Sequence, residues 1–496
     1  MSEQQGDVRN ITIPRKAVFK VKGSTSGVIE KRELISYPAN ALSQNLTVGE
    51  NDTSKKIEFL LSGDCMMDGR ESFITLQLAT NKWSAYLSSD ISSIVKRLVI
   101  SLPSNQNQIL EDINEYAVLQ SMLHMINGGE DSYNANWYSG LNSMSGYNQL
   151  GGMKAARRFL NFPDEEGGVR TLGFALNLSG ILSNENYIPL LLLNGLKITL
   201  YLNSASDVFY YDRTNEQSWD TVLDSMELPT LGKKLADMSN TEKTALVNGM
   251  LAFTSKVAPS PASAAAPLTY TITSPTFNAM TVWFSSAYVD SLIKASESSS
   301  GVLINFDTFR FNQIVPESKN VNFAFTDGVQ NLKSVIMACQ LRNRTVTSHF
   351  NYSVNGLKSF CCRVGSRIYQ TVENNKPAIA LISSLISLGK FGHYHDSGVS
   401  STTYSRSKNI HIYDFQNARS ESATANSGIS TVNGRNLRVE LSFHDTDGES
   451  IISPDDANVT LMTMTNYQPF KAIHLNTFLE FSKYLRINSE GILVSE

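Results

Sequence analysis

The only histidine cluster in the chain is His393-Tyr394-His395-Asp396. Its i, i+2 spacing puts both imidazoles on one face of a strand, as some zinc and copper sites require. No third or fourth ligand stands at a matching spacing, and His411 and His474 could approach only through tertiary folding, so a polar loop is the preferred reading. Asp445-Thr446-Asp447-Gly448-Glu449 resembles part of a calcium loop but lacks the spaced third carboxyl ligand and the closing glutamate, which leaves a hairpin turn. Asp164-Glu165-Glu166 precedes Gly167-Gly168, and consecutive carboxylates do not flank one substrate from two sides as hydrolytic pairs do.

Phosphate and acyl chemistry fare no better. Gly232-Lys233-Lys234 and Gly389-Lys390 lack the upstream glycine of a phosphate-cradling loop, and read as helix ends carrying surface lysines. No serine sits in a Gly-x-Ser-x-Gly elbow. Cys65, Cys339, Cys361 and Cys362 form no Cys-x-x-Cys pair, so reduced, buried thiols are expected. Neither a cofactor nor a metal is called for.

The elements that would position any site are mostly strands. Leu437, Val439, Leu441 and Phe443 alternate with Arg438, Glu440, Ser442 and His444, the period of a half-buried strand. Similar alternation recurs at Ile57 to Leu61, Ile74 to Leu78, Leu172 to Leu178, Ile198 to Leu202, Val321 to Phe325, Ile410 to Ile412 and Val459 to Leu461. Turn-forming clusters such as Ser62-Gly63-Asp64 and Asn433-Gly434 separate such segments. Helical periodicity is predicted for Ile109 to Ile126, with Ile109, Ile113, Tyr116, Ala117 and Leu123 on one face. It is also predicted for Pro377 to Leu388, which has proline in its first turn and Gly389 beyond its end. Asp220 to Met250 reads as polar helix running into the low-complexity stretch Pro259 to Pro267. Strands and helices do not alternate as a parallel sheet would need, so an all-β protein of two sandwiches is expected.

Composition narrows the partners. A chain of 496 residues can hold two large sandwiches, and its net charge of −4 argues against direct coating of nucleic acid, which takes a concentrated basic surface. Charged residues make up 18% of the chain, below the roughly 25% of an average soluble domain. Two explanations stay open: flanks covered by neighbours, or simply a Ser/Thr/Asn-rich β protein. The first residues lean basic through Arg9, Arg15, Lys16, Lys20 and Lys22, a weak arm and not a genome-packaging tail. No signal-peptide core follows Met1, and the most apolar stretches, Ile188 to Leu202 and Ala378 to Leu388, are interrupted or too short for a spanning helix.

Three stretches in order carry a family resemblance. They are Lys56 to Leu123, with a strand pair, a further strand, a break and a helix; Leu176 to Ala205, with Ser179-Gly180, a polar gap, a Pro189-containing strand and an amphipathic strand; and Ser427 to Asp445 together with Phe481 to Glu496, with a Ser-Gly turn, a long strand and a closing hairpin. In that order they resemble the double jelly-roll major capsid proteins of polinton-like viruses, virophages and related double-stranded DNA viruses. The resemblance implies two consecutive eight-stranded jelly-roll sandwiches with short helices in the loops. It divides the chain into a lead-in arm over 1–54, a first roll over 55–300 with a loop insertion at about 204–266, and a second roll over 301–496, with the boundary in the Ser-rich break from Ser296 to Gly301.

By the same resemblance the chain is a non-enzymatic virion component. Three copies form a pseudo-hexagonal homotrimer that packs with neighbouring capsomers, penton proteins and minor capsid proteins into an icosahedral shell. The basic arm, Arg9 to Lys22, then meets a minor capsid protein or an internal membrane surface, a simply disordered tail being the alternative, and no sequence-specific nucleic acid binding is expected. The long Gly/Asn/Ser/Tyr-rich loop from Asn127 to Met153 is expected to shape contacts within or between capsomers. The competing class is a secreted or viral carbohydrate-binding or hydrolytic β-sandwich, which should pair a concave aromatic platform with facing carboxylates. The aromatics here instead follow strands in core-like phase.

Overall fold

A computed structural model of the chain describes residues 29–81, 86–87, 90–103, 108–127, 172–176, 178–183, 186–210, 227–228, 233–234, 267–299, 301–326, 328–341, 352, 357–373, 377–387, 409–415, 428–432, 435–443 and 473–495. Eight strands make the first sandwich: β1 (Ile29–Pro38), β2 (Lys56–Leu61), β3 (Met66–Thr80), β4 (Val95–Leu102), β5 (Gln108–Asn114), β6 (Leu172–Leu176), β7 (Leu196–Leu202) and β8 (Tyr270–Phe284). Eight more make the second: β9 (Val302–Ile314), β10 (Asn320–Ala324), β11 (Leu332–Leu341), β12 (Leu357–Val364), β13 (Arg367–Glu373), β14 (Ile410–Asp414), β15 (Leu437–Phe443) and β16 (Ile473–Asn488).

The two sets are wired identically. In the first, the sheets run β1-β8-β3-β6 and β2-β7-β4-β5; in the second, β9-β16-β11-β14 and β10-β15-β12-β13. Each set is therefore a long antiparallel hairpin of four strand pairs, first with eighth through fourth with fifth, wrapped so that alternate pairs fall in opposite sheets. That is the jelly-roll winding. Smaller strands add to it: Asn45–Val48 pairs with β8, Ile188–Pro189 with β3, and Gly491–Ser495 closes a hairpin on β16.

Alternation decides which face is inside. In β15, Leu437, Val439, Leu441 and Phe443 are buried while Arg438 is exposed, and in β2 Ile57, Phe59 and Leu61 are buried while Leu60 is exposed. β8 is one strand interrupted at Ser274-Pro275. Ser274 has a φ of 51°, and the register on β3 shifts between Thr273 and Thr276. Proline cannot donate to the ladder, so the interruption falls where it stands.

Helices differ more from expectation. Ile109 to Ile126 is not one helix: β5 ends at Asn114, Glu115 turns into the left-handed region at φ 51°, and α1 spans Tyr116–Asn127. Ile109 and Ile113 have the four-residue spacing of a helix face, but in the strand Leu110 bulges between them, so Ile109 is exposed and Ile113 buried. The predicted helix at Pro377 is present as α3 (Pro377–Ser387), whereas α2 (Ser286–Ser296) was not anticipated. Its apolar residues Val289, Leu292 and Ile293 have helical spacing, but none of its side chains is buried, so hydrophobic patterning marks it weakly. Within the polar stretch read as helix, the described residues form a strand pair, Glu227–Leu228 with Lys233–Lys234, so Lys233-Lys234 is not a helix end. Pro229 and Gly232 lie between the two strands, and both residue types favour turns over helix.

The second roll's β9-β16-β11-β14 sheet is buried on both faces. β11 sends Val335, Met337 and Cys339 into the second roll's own core, and Ile336 and Ala338 into a cluster it shares with the first roll. β16 divides likewise, with Leu475, Leu479 and Phe481 in the second core and Phe478, Leu485 and Ile487 in the shared cluster. Alternation in β15 is open to direct test. Leu441→Ala should destabilise the chain by about 2–5 kcal/mol, whereas Arg438→Ala on the outer face should change stability by less than about 0.5 kcal/mol. Denaturant unfolding reads both, and equal effects would contradict the assignment of faces.

Candidate functional site

The residues singled out for chemistry are not brought together. Among the described residues, no group of three or more His, Cys, Asp or Glu side chains could hold a metal. His411 is fully buried, stacks on Phe360 with ring centroids 5.0 Å apart, and places Nε2 2.9 Å from Asn409 Oδ1; burial pushes its pKa down to about 4. His474 Nε2 lies 3.4 Å from Gln340 Oε1 on the neighbouring strand, so each imidazole has a partner of its own. The thiols are free; Cys65, Cys339 and Cys362 are buried, and Cys361, expected inside, is only half-buried at the outer face of β12. Burial pushes the Cys339 thiol up to about 12 and raises that of Cys362, so neither supplies a thiolate at neutral pH. His393 to Asp396, Asp445 to Glu449, Asp164 to Glu166, the basic arm residues Arg9, Arg15, Lys16, Lys20 and Lys22, and the loop beyond Asn127 lie outside the described residues.

The structure instead concentrates its buried polar chemistry where the two rolls meet. β5 ends one sheet of the first roll, β9 ends one sheet of the second, and the two lie against each other. The one-turn helix Gly180–Ser183 packs beside them, between β3 and β9. Apolar contact dominates: Leu110, Ile113, Ile181 and Leu182 from the first roll share a cluster with Ile304, Phe306 and Phe309 of β9. α1 adds polar anchors. The Tyr116 hydroxyl accepts from Ser179 N at 2.8 Å, Gln120 donates to Ser179 Oγ, and Ser121 and Tyr352 share a hydroxyl contact.

Glu111 sits in the middle of this seam with none of its surface exposed. It is there because of a bulge. β4 and β5 shift register between Ile100 and Ser101, leaving Leu110 unpaired, so that Leu110 and Glu111 are both buried although they are neighbours in a strand. Thr308 Oγ1 of β9 donates to Glu111 Oε1 at 2.6 Å, and the Ile181 amide donates to Oε2 at 3.2 Å. Gly180 closes the pocket at φ +82°, and a Cβ there would come within 2.0 Å of Glu111 Oε1, so glycine is required on both counts.

Burial pushes the Glu111 carboxyl up to about 7, while the Thr308 and Ile181 hydrogen bonds and the Lys483 charge pull the other way. Desolvation wins because two donors replace the fuller shell that water would give a carboxylate. A carboxyl raised from 4.5 to about 7 is held in its neutral form by the fold, so its contribution is fully present below pH 4.5 and is lost as pH rises to about 7. The loss is about 3 kcal/mol. Among the described residues the carboxyl meets two donors, Thr308 from one roll and Ile181 from the other, which suits a structural contact. Alternation alone hides this site: Glu111 follows Ile109 and Leu110 in what reads as a helix, and nothing in the sequence points it at Thr308. The one legible part was Ser179-Gly180.

No family model matches the sequence, and no curated protein matches it. Solved structures do match in shape. The VP54 protein of PBCV-1, fitted into a reconstruction of the virophage Sputnik, superposes with a TM-score of 0.52 at 10% identity over 94% of this chain and 97% of that one. The Faustovirus major capsid protein gives 0.51 at 8% identity over 95% and 93%. A chain of the Sputnik virophage cryo-EM structure gives 0.50 at 9% over 100% and 92%. Likeness at this level of identity is likeness of fold, and it agrees with the strand wiring: the chain is a double jelly roll.

Proposed function

We propose that the chain is a viral major capsid protein, a non-enzymatic building block whose homotrimers form pseudo-hexagonal capsomers that tile an icosahedral virion shell. The observation that carries this reading is the match of two fused jelly rolls, over nearly the whole of both chains, to PBCV-1 and Faustovirus capsid proteins. Two similar rolls per chain give a trimer six similar corners, which suits a sixfold tile, and closed cyclic assembly needs only one kind of head-to-tail contact. In this reading the division between rolls falls near residue 300, after α2 ends at Ser296 and before β9 begins at Val302. The basic arm, Arg9, Arg15, Lys16, Lys20 and Lys22, is the proposed contact with a minor capsid protein or an internal membrane surface. Penton proteins and neighbouring capsomers are the further partners, and the virion is the location.

Light scattering and electron microscopy of the purified full chain test the proposal: trimers with a pseudo-hexagonal outline are expected. A folded protein that stays monomeric across a wide concentration range would contradict it. The shared cluster adds a second expectation. Residues 301–496 expressed alone should aggregate, because Ile304, Phe306, Phe309, Leu485 and Ile487 lose the first roll that covers them. A monodisperse, cooperatively unfolding fragment would show that the second roll needs no such cover.

A further inference from the structure

We propose that Glu111 is a protonation latch between the two rolls, closed when its carboxyl is neutral and loosened when it ionises. The device lies in the fold itself and goes beyond the capsid reading, since it would operate in a single chain. Its geometry is the primary argument. The carboxyl is sealed from water, stands at the contact of two edge strands, and takes its shortest described hydrogen bond from the opposite roll, Thr308 Oγ1 at 2.6 Å. Gly180 leaves it no room to withdraw on the other side. An ionised carboxylate in such a place keeps its charge only at the cost of its hydration, and the cheapest relief is to part the strands and admit water.

The charged surroundings do not cancel this. Among the described residues, no Lys or Arg forms an ion pair with Glu111. Lys483 of β16 supplies a longer-range positive field, which favours the anion. Burial raises the Tyr116 phenol at the start of α1, and the negative charge of Glu111 adds to it. On β9, Thr308 lies between Asp307, which is tied to Lys333 and Ser482, and the apolar Phe309, and Arg310 stands two residues on with its guanidinium over the Phe481 ring. The segment Gly180–Ser183 brings no charge, and Ile100, the β4 residue paired with Glu111, is apolar. On its own strand, Asp112 is held by Arg97 in a two-pronged contact at 2.6 and 2.7 Å, and Glu115 follows the strand's end. The net environment is apolar, with one distant cation.

The direction follows from the shift of the carboxyl to about 7 in the closed seam. Opening becomes easier as pH rises from about 4.5 to 7, by up to about tenfold per pH unit, and levels off above. His411 titrates in the second core in the opposite sense, neutral when buried, so the test must isolate the seam.

Hydrogen exchange of the full-length chain between pH 5 and 8 does so. Peptides covering 108–114 and 302–314 are corrected for intrinsic chemistry and compared with a reference peptide covering 196–202. In the unmodified chain the seam peptides should lose protection relative to the reference up to pH 7 and then plateau. Glu111→Gln, which keeps the shape without the charge, should give a flat ratio. Thr308→Val removes a donor that favours the anion and should move the plateau to higher pH. A flat ratio in the unmodified chain, or the same rise in Glu111→Gln, would overturn the latch. Should Glu111→Gln fail to fold, Thr308→Val decides: an unmoved plateau also overturns it.

Discussion

An antiparallel sandwich ends in strands whose outer hydrogen-bonding groups have no partner, and most of this structure can be traced to how those edges are covered. β5 and β9 are such edges, one from each roll, and the chain sets them against each other and fills the contact with Leu110, Ile113, Phe306 and Phe309. Other edges are protected differently. β1, which pairs only with β8, carries Glu30, Lys31, Arg32 and Glu33 in succession, with Lys31 bonded to Glu33 and Arg32 reaching Glu71 at 2.7 Å. Charge discourages further strand pairing where no cover is supplied.

Covering an edge with another sandwich changes what the second roll must be. Its β9-β16-β11-β14 sheet cannot have the solvated outer face that an isolated jelly roll keeps, because Ile336, Ala338, Phe478 and Ile412 point into the shared cluster. The same sheet carries polar groups, the buried Asn476 and Gln340 among them, that pair with one another. Asn476 donates to Gln340 at 2.7 Å, Gln313 donates to Asn476 at 3.3 Å, and Lys333 pairs with Asp307 at 2.6 Å. The seam tolerates one carboxyl on the same terms, with a hydroxyl from one roll and an amide from the other in place of water.

Much of the fold was legible from alternation because a half-buried strand writes its faces directly into the sequence, as β2, β10 and β15 do. What was not legible is where that rule is broken. The sheet buried on both faces has little polar counterpoint: in β14, Ile410 and Ile412 face one cluster while Tyr413 faces the other. β5 looked helical because a bulge at Leu110 and a four-residue spacing of isoleucines coincide. Glu111 itself has no sequence signature, since its significance depends on Thr308, 197 residues away along the chain. The histidines that do have a signature at strand spacing, or that stood as further ligands, turn out in the described cases to serve packing. His411 caps an aromatic stack with Phe360, beside Tyr413.

Through their shared cluster the two rolls form one mechanical unit. Native-state hydrogen exchange in rising sub-denaturing urea tests it most directly, by following a core peptide from each roll: residues 270–284 of β8 and residues 473–488 of β16. If the claim holds, both peptides lose their slowest protection with the same free energy and the same urea dependence, because opening either roll exposes the cluster. If 473–488 opens with a smaller urea slope while 270–284 stays protected, the rolls are independent domains that merely touch, and the account fails.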